Sequence, residues 1–599
     1  MHIVIVGHVD HGKSTVIGKL LADTGSLPDG KLEQIKEMCR RNSKPFEYAF
    51  LLDALKDERT QGITIDTARC FFKTDKRQYI IIDAPGHIEF LKNMITGAAR
   101  AQAALLVIDA FEGIAENSRR HGYILAMLGI KQVSVLVNKM DLINYDEKIY
   151  NDIVKNYSEF LSQINITPKS FIPISATQGD NIATISNNMS WYTNGTVLDI
   201  LDNFDAQADL DHLPARLPVQ DVYKFTSNGD DRRIIAGTLQ TGTFSEGDEI
   251  VFYPSGKKTK IKSIEGFNQP KITTVKAGYA TGFTMTEQIY VKRGEIAVKT
   301  IESEKKPYVA TLIHASIFWL GRENLEKNKQ YILKIGSSKV TVTLEKINSV
   351  LNASSLEKIQ KEHVERHEVA DCILRTEKPI AFDKQSDIAL TSRFVLIDKY
   401  EISGGGIILE SLEDNYSDIR DMVLNRNFKW EKSAISTEKR AEKNGHLPAV
   451  VFISGSDAAH RKNLAKSLEE KLFFEGRNTY YMGIGNILYG IDADIKTNNM
   501  SKNHINTEKE EHFRRLGETA NILLDTGLIL IITAADLTQP DIDLMQTIID
   551  IENVNTVWIG ENSSDIKNIM LIKNSESIDQ AVIKIKNYLQ DQNIIFKPF

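Results

Sequence analysis

Gly7-His-Val-Asp-His-Gly12-Lys13-Ser14 has the spacing G-x-x-x-x-G-K-[ST]. It follows an apolar run and opens a helical pattern, the setting in which such a loop wraps a phosphate. Backbone N–H groups along Gly7, His8, Val9, Asp10, His11 and Gly12 can close around a β-phosphate. Lys13 supplies a point charge to the β- and γ-phosphates, the Ser14 hydroxyl can bind Mg²⁺, and Thr15 is expected among the nucleotide-binding residues.

Further segments supply the rest of a nucleotide site. In Asp83-Ala-Pro-Gly86-His87 the Asp83 carboxylate can hold Mg²⁺ through water, Gly86 N–H can bond a γ-phosphate, and His87 can orient or polarise an attacking water. In Asn138-Lys139-Met-Asp141 the Asp141 carboxylate can accept from guanine N1–H and N2–H₂, an edge adenine lacks. A site built for that pairing rejects the base that leaves its carboxylate unpaired. Lys139 can lie over the base plane and Asn138 can brace the phosphate loop, while a backbone N–H at Ser175-Ala176 can meet guanine O6. Gly62-Ile-Thr64-Ile-Asp66 is placed to carry a threonine hydroxyl to Mg²⁺ on a mobile loop when a γ-phosphate is present. Val9 and Ile63 are expected to form an apolar gate before His87. The expected catalytic set is His87, Lys13 and Thr64, the expected metal set is Ser14, Thr64 and Asp83, and the expected ligands are GTP and Mg²⁺.

These segments need a frame that brings them to one edge. Residues 1–210 alternate strand-like runs (His2–Val6, Tyr79–Asp83, Ala104–Asp109, Val133–Asn138, Phe171–Ile174) with helical stretches, which predicts a parallel sheet. Each motif falls at a strand C-terminal end, where open α/β sheets bind ligands. After Pro214 short alternating segments with Gly turns predict all-β structure, one small barrel over 211–305 and a second over 306–412. Residues 413–445 read as a linker with some helix. From Ala449 the α/β pattern returns to the C-terminus, with strands Val450–Ser454 and Leu528–Thr533 and a helix near Arg461–Glu475, so 446–599 is expected as a second α/β domain.

Composition bounds the function class. With 599 residues, 42% hydrophobic and 26% charged, the chain can bury several cores. No run approaches a membrane-spanning length, and Met1–Gly7 lacks the basic start of a secretory signal. Three cysteines without metal spacing fit a reducing cytoplasm, and a net charge of −7 argues against bulk nucleic-acid binding.

The guanine-nucleotide segments, with Phe90-Leu-Lys-Asn-Met94 after His87 and two barrels to follow, resemble the translation-factor GTPase superfamily. Arg59-Thr-Gln-Gly-Ile-Thr-Ile-Asp66, Met189-Ser-Trp-Tyr192, Arg393-Phe-Val-Leu-Ile-Asp398, Gly445-His446 and Arg514-Arg515-Leu-Gly-Glu518 together resemble one branch. That branch is the GTPase subunit of bacterial sulfate adenylyltransferase, in the form fused to an adenylylsulfate kinase domain. The resemblance implies a P-loop GTPase domain, two barrels and a P-loop kinase-like α/β domain. It also implies a separate adenylyltransferase subunit that makes adenylylsulfate and pyrophosphate from ATP and sulfate, driven by GTP hydrolysis. Two departures stand out. His8 and His11 replace the Ser and Asp of that branch and match elongation factors, which keeps open an RNA-binding translation-type GTPase with the tail as scaffold or nucleotide sensor. In the tail, Gly455-Ser-Asp-Ala-Ala-His460-Arg461-Lys462-Asn463 stands where the kinase has Gly-Leu-Ser-Gly-Ser-Gly-Lys-Ser-Thr, and Gly483-Ile-Gly-Asn486 stands where it has Asp-Gly-Asp-Asn. Bulk at His460 obstructs phosphate, and Arg is no neutral substitute for the lysine. Kinase activity is therefore expected to be absent, with Arg514 and Arg515 either an anion site or a solvated face.

Overall fold

The computed structural model describes the chain except residues 42–45, 52–67, 85–100, 165, 206–209, 225–231, 267–269, 271, 288, 352–357, 432, 493–501, 550–553, 562–563, 568 and 597–599. Arg59–Asp66 (with Ile63 and Thr64), Gly86, His87 and Phe90–Met94 lie outside the described residues.

Six strands build the N-terminal sheet: β1 His2–Gly7, β2 Ala68–Lys73, β3 Gln78–Asp83, β4 Ala103–Asp109, β5 Gln132–Asn138 and β6 Ser170–Pro173, in the order β2-β3-β1-β4-β5-β6. β4 is buried at every position, as an apolar run between two strand neighbours and two helix layers must be. The helix Glu147–Gln163 shows how a flanking layer is specified. Asp146 caps it by accepting from the N–H groups of Lys148 and Ile149, and Tyr150, Ile153, Tyr157, Phe160 and Leu161 form its buried stripe.

The five strands expected from the sequence pair in parallel, and one further strand that the sequence reading did not name does not. β2 runs antiparallel to β3 at the edge. Only Thr74–Arg77 separate the two strands, closed by Thr74 N–H to Arg77 O at 3.0 Å, and so short a link permits a hairpin but no crossover.

Strands β7 Leu217–Lys224, β8 Arg233–Thr238, β10 Glu249–Tyr253, β11 Lys257–Glu265, β13 Ala280–Met285 and β14 Ile296–Lys299 close a first barrel. β9 Thr243–Ser245 and β12 Thr274–Lys276 pair beside it. In the second barrel β15 Tyr308–Trp319, β17 Gln330–Ile335, β18 Ser338–Leu351, β21 Val369–Phe382, β22 Arg393–Asp398 and β23 Glu401–Leu412 form a ring, shut by the β17–β18 pairing. β19 Lys358–Ile359 extends it, and β16 Leu325–Glu326 pairs with β20 His363–Val364. Phe318, Val369 and Ile407 of this barrel join the apolar core of the N-terminal domain. Arg393 Nη2 donates to Leu128 O at 2.5 Å across the same junction.

Residues 413–445 carry two helices, Ser417–Lys429 and Thr437–Asn444. The first is a strut. Asn427 Nδ2 donates to Ser255 O of the first barrel, while Arg426 donates to Glu518 Oε2 and Ile548 O of the C-terminal domain. That domain is a parallel sheet, β25-β26-β24-β27-β28, from β24 Ala449–Gly455, β25 Thr479–Gly483, β26 Ile529–Thr533, β27 Val554–Ile559 and β28 Met570–Ile572. No helix among the described residues is long and apolar enough to cross a membrane.

A buried ion pair locks the barrels together. Arg216 and Asp383 are 1% and 2% exposed and meet in a two-pronged contact at 2.9 Å, with Thr391 Oγ1 also donating to Asp383. Removing one member strands the other charge, which costs about 3–5 kcal/mol. Arg216→Ala is expected to lower the thermal midpoint of the barrel transition in calorimetry; an unchanged melting profile would contradict this account of the junction.

Candidate functional site

The C-terminal edge of the N-terminal sheet gathers the described motif residues. The phosphate loop leaves β1 and returns as the helix Lys13–Asp23. Gly12 sits at the helix start with φ 88°, and a Cβ there would lie 2.4 Å from Asn138 Nδ2. Only glycine satisfies both the left-handed backbone and the close approach. Asn138 Nδ2 donates to His11 O at 2.8 Å, and Asn138 Oδ1 accepts from Ala176 N–H at 3.0 Å. One amide thus clasps the ends of β1, β5 and β6.

Lys13 Nζ turns back into the loop and donates to His8 O at 2.8 Å. Burial lowers its ammonium to about 8, with Asp83 and Asp10 opposing the shift. Ser14 Oγ donates to Asp83 Oδ2 at 2.9 Å. These two oxygen groups side by side suit a hard divalent cation. Val9 and Thr15 are half-buried and Asp10 is exposed with φ 63°.

The base-side segment is equally defined. Lys139 Nζ meets Asp109 Oδ2 at 2.7 Å. Asp141 Oδ1 is buried and has no hydrogen-bond partner among the described residues, although burying an acceptor unpaired is costly. Such an oxygen fits a site that awaits a donor. The Ser175–Ala176 loop differs from expectation in one respect. Ser175 N–H donates to Asp180 O at 3.3 Å and Ala176 N–H to Asn138, so both amides are engaged within the chain.

Sequence reasoning did not single out a layer behind the loop. His11 is fully buried, with Nδ1 at 3.1 Å from Val107 O and Nε2 at 3.2 Å from Glu112 Oε2. Burial lowers its pKa, against the pull of Val107 and Glu112. His8 Nδ1 lies 2.8 Å from Asn117 Nδ2. Nearby, burial pushes His121 down to about 3, so its ring is neutral at ordinary pH. The available signal was the turn Asp109–Gly113 after an apolar strand that neighbours both β1 and β5.

The C-terminal domain repeats the strand–loop–helix frame with a different outcome. Gly455, Arg461 and Lys462 stand at the spacing of Gly7, Lys13 and Ser14. Here the helix starts at Ala458, not near Arg461 as the sequence suggested, because Asp457 caps it and accepts from Ala459 and His460 N–H. Residues that would form a phosphate nest are spent on a helical turn. The Arg461 guanidinium is buried and donates to Gly455 O. A 280 Å³ cleft beside the loop is lined by Ser456, Trp558, Ile559, Gly560, Glu561 and Asn574, which include no cation. Arg514 and Arg515 both bond Glu511, which Arg514 above all holds down to about 2.

Three family models match the chain: Elongation factor Tu GTP binding domain over 1–206, GTP-eEF1A C-terminal domain-like over 312–409, and Adenylylsulphate kinase over 447–560. The bifunctional enzyme NodQ of Rhizobium sp. (strain N33) is 31% identical over 89% of this chain and 80% of its own length. The chain belongs to the NodQ and CysN/CysC family. The bifunctional enzyme CysN/CysC of Rhodopirellula baltica is 31% identical over 92% of this chain and 84% of its own. Sulfate adenylyltransferase subunit 1 of Aeromonas salmonicida is 34% identical over 69% of this chain and 87% of its own. The N-terminal domain of this CysN/CysC-family chain is therefore a GTP-binding domain of the elongation factor Tu type.

Lys13 carries its charge below about pH 8 and loses it as pH rises through that value. A phosphate favours the charged form, so fluorescent-GDP affinity is expected to be flat below about pH 7.5 and to fall about tenfold per unit above about pH 8. Stability takes the opposite sign. The cost of burying the ammonium is present below about pH 8 and fades as pH climbs toward the ordinary 10.5. A GDP affinity unchanged between about pH 7 and 9.5 would contradict this role.

Proposed function

We propose that the chain is the GTP-binding and GTP-hydrolysing subunit that drives sulfate activation, ATP plus sulfate to adenylylsulfate plus pyrophosphate, with a separate adenylyltransferase subunit in the cytoplasm. One observation carries the reading: a clasped phosphate loop, an Asp83–Ser14 pair and an Asp141 oxygen without a partner among the described residues lie along one edge of a chain aligned with 87% of a sulfate adenylyltransferase subunit 1. In this reading Gly7 to Thr15 hold the phosphates and Ser14, Asp83 and Thr64 hold Mg²⁺. A bound Mg²⁺ supplies charge to the β- and γ-phosphate oxygens. Gly86 meets the γ-phosphate and His87 orients the attacking water. Asp141 reads the guanine edge, Lys139 covers the base plane, and Ser175 and Ala176 border O6. Sulfate chemistry belongs to the partner chain. The packing of Phe318, Val369 and Ile407 on the N-terminal core offers a route by which nucleotide state reaches the barrels.

The same proposal makes the tail a kinase fold without kinase activity. Support comes from the helical turn at Ala458–His460, the Asp457 cap, the inward Arg461, and the absence of carboxylates from Gly483 to Asn486.

Affinity capture of the tagged chain from its native extract with a slowly hydrolysed GTP analogue is expected to recover an adenylyltransferase subunit in near-equal amount, and GTP is expected to raise pyrophosphate release by the pair. Recovery of tRNA or ribosomal proteins would contradict the reading and favour the RNA-binding alternative. Incubated with ATP and adenylylsulfate, the full chain is expected to form no 3′-phosphorylated product. Turnover above a blank would overturn the inactive-tail proposal.

A further inference from the structure

We propose that Asp109 is a positioning residue for guanine nucleotide, holding Lys139 over the base and tying that lysine to the phosphate loop; the inference rests on the GTP-site reading above. Asp109 closes β4, and the β4–β5 register places it beside Asn138, one residue before Lys139. Its carboxylate is 2% exposed and fully committed. Oδ1 accepts from Phe111 N–H at 2.8 Å and Glu112 N–H at 3.3 Å, and Oδ2 meets Lys139 Nζ at 2.7 Å.

The chemistry requires such a partner. Lys139 has φ 62°, so its backbone is committed to a left-handed turn, yet its side chain is 30% exposed. Left alone, a long flexible ammonium side chain samples solvent, and ordering it on ligand arrival subtracts from affinity. A buried carboxylate at hydrogen-bond distance fixes the ammonium end beforehand, so the alkyl stem spans a set path. That is pre-organisation of a binding group by a fixed neighbour. The turn extends the control. Glu112, whose amide is held by Asp109, reaches His11 Nε2, and His11 O is held by Asn138. Asp109 therefore stands between the groups proposed for the base and the backbone proposed for the β-phosphate.

Asn at this position has the same shape. Its Oδ1 can still accept from Phe111 and Glu112 N–H, but an amide facing Lys139 Nζ offers no charge. In the full chain, Asp109→Asn is expected to speed release of fluorescent GDP about tenfold and to leave the GDP-over-XDP preference unchanged. Asp141→Asn, which alters edge reading, is expected to reverse that preference. Lys139→Ala is expected to speed GDP release, and adding it to Asp109→Asn is expected to bring no further gain, because the two act as one unit. Additive single effects, a changed GDP-over-XDP ratio in Asp109→Asn, or unaltered release would each overturn the inference. If Asp109→Asn does not fold, Lys139→Met, which keeps the stem and drops the charge, carries the test. Release as slow as wild type would then overturn it. Failure of the wild-type chain to bind GDP at all would instead remove the GTP-site reading on which the inference rests.

Discussion

One side-chain amide constrains the N-terminal site more than any other group. Asn138 donates to the phosphate loop at His11 O and accepts from the Ser175–Ala176 loop at Ala176 N–H. It lies so close to Gly12 that no Cβ fits there. The loop conformation, the helix start at Lys13 and the base-side loops are therefore one coupled arrangement. β4 and β5 make the clasp possible by bringing Asp109 and Asn138 into register, so the Lys139 contact and the Glu112–His11 contact issue from the same strand pair.

The two strand–loop–helix frames in this chain show what a few residues decide. Gly12 starts its helix in the left-handed region with no side-chain cap. At the matching place in the tail, Asp457 provides an internal carboxylate cap and Ala458, Ala459 and His460 wind into helix. The Asp457 cap takes the Ala459 and His460 N–H groups, which leaves fewer donors for an incoming phosphate. The tail still folds, because its sheet, from Ala449–Gly455 to Met570–Ile572, does not depend on the loop. Loop conformation and structural integrity separate at this point, and the Arg426 contacts to Glu518 and Ile548 keep the domain joined to the strut helix.

Much of the fold was legible because its signals are strong and local. Ala104–Asp109 is apolar at nearly every position, and the barrels announce themselves by alternation and Gly turns. What escaped depended on partners distant in sequence or on caps. β2 escaped because a short hairpin edge resembles a loop when only crossovers are sought. The true start of the tail helix escaped because the stretch was read as a ruined phosphate loop, although Asp457 before two alanines is an N-terminal helix signal. Asp109 read only as a strand end; its contact with Lys139 follows from sheet register, which no local pattern reveals. The phosphate-loop and guanine segments were legible as motifs, while Thr64 and His87 rest on motif position alone.

In the proposed reading this chain carries one nucleotide site, selective for guanine, and its tail frame is closed by its own side chains. Equilibrium dialysis of the full chain against GTP and against ATP, with Mg²⁺ present, tests it most directly. The account predicts one GTP bound per chain and no saturable ATP binding. Saturable ATP binding that persists with the guanine site filled would contradict it, because the tail frame would then be open.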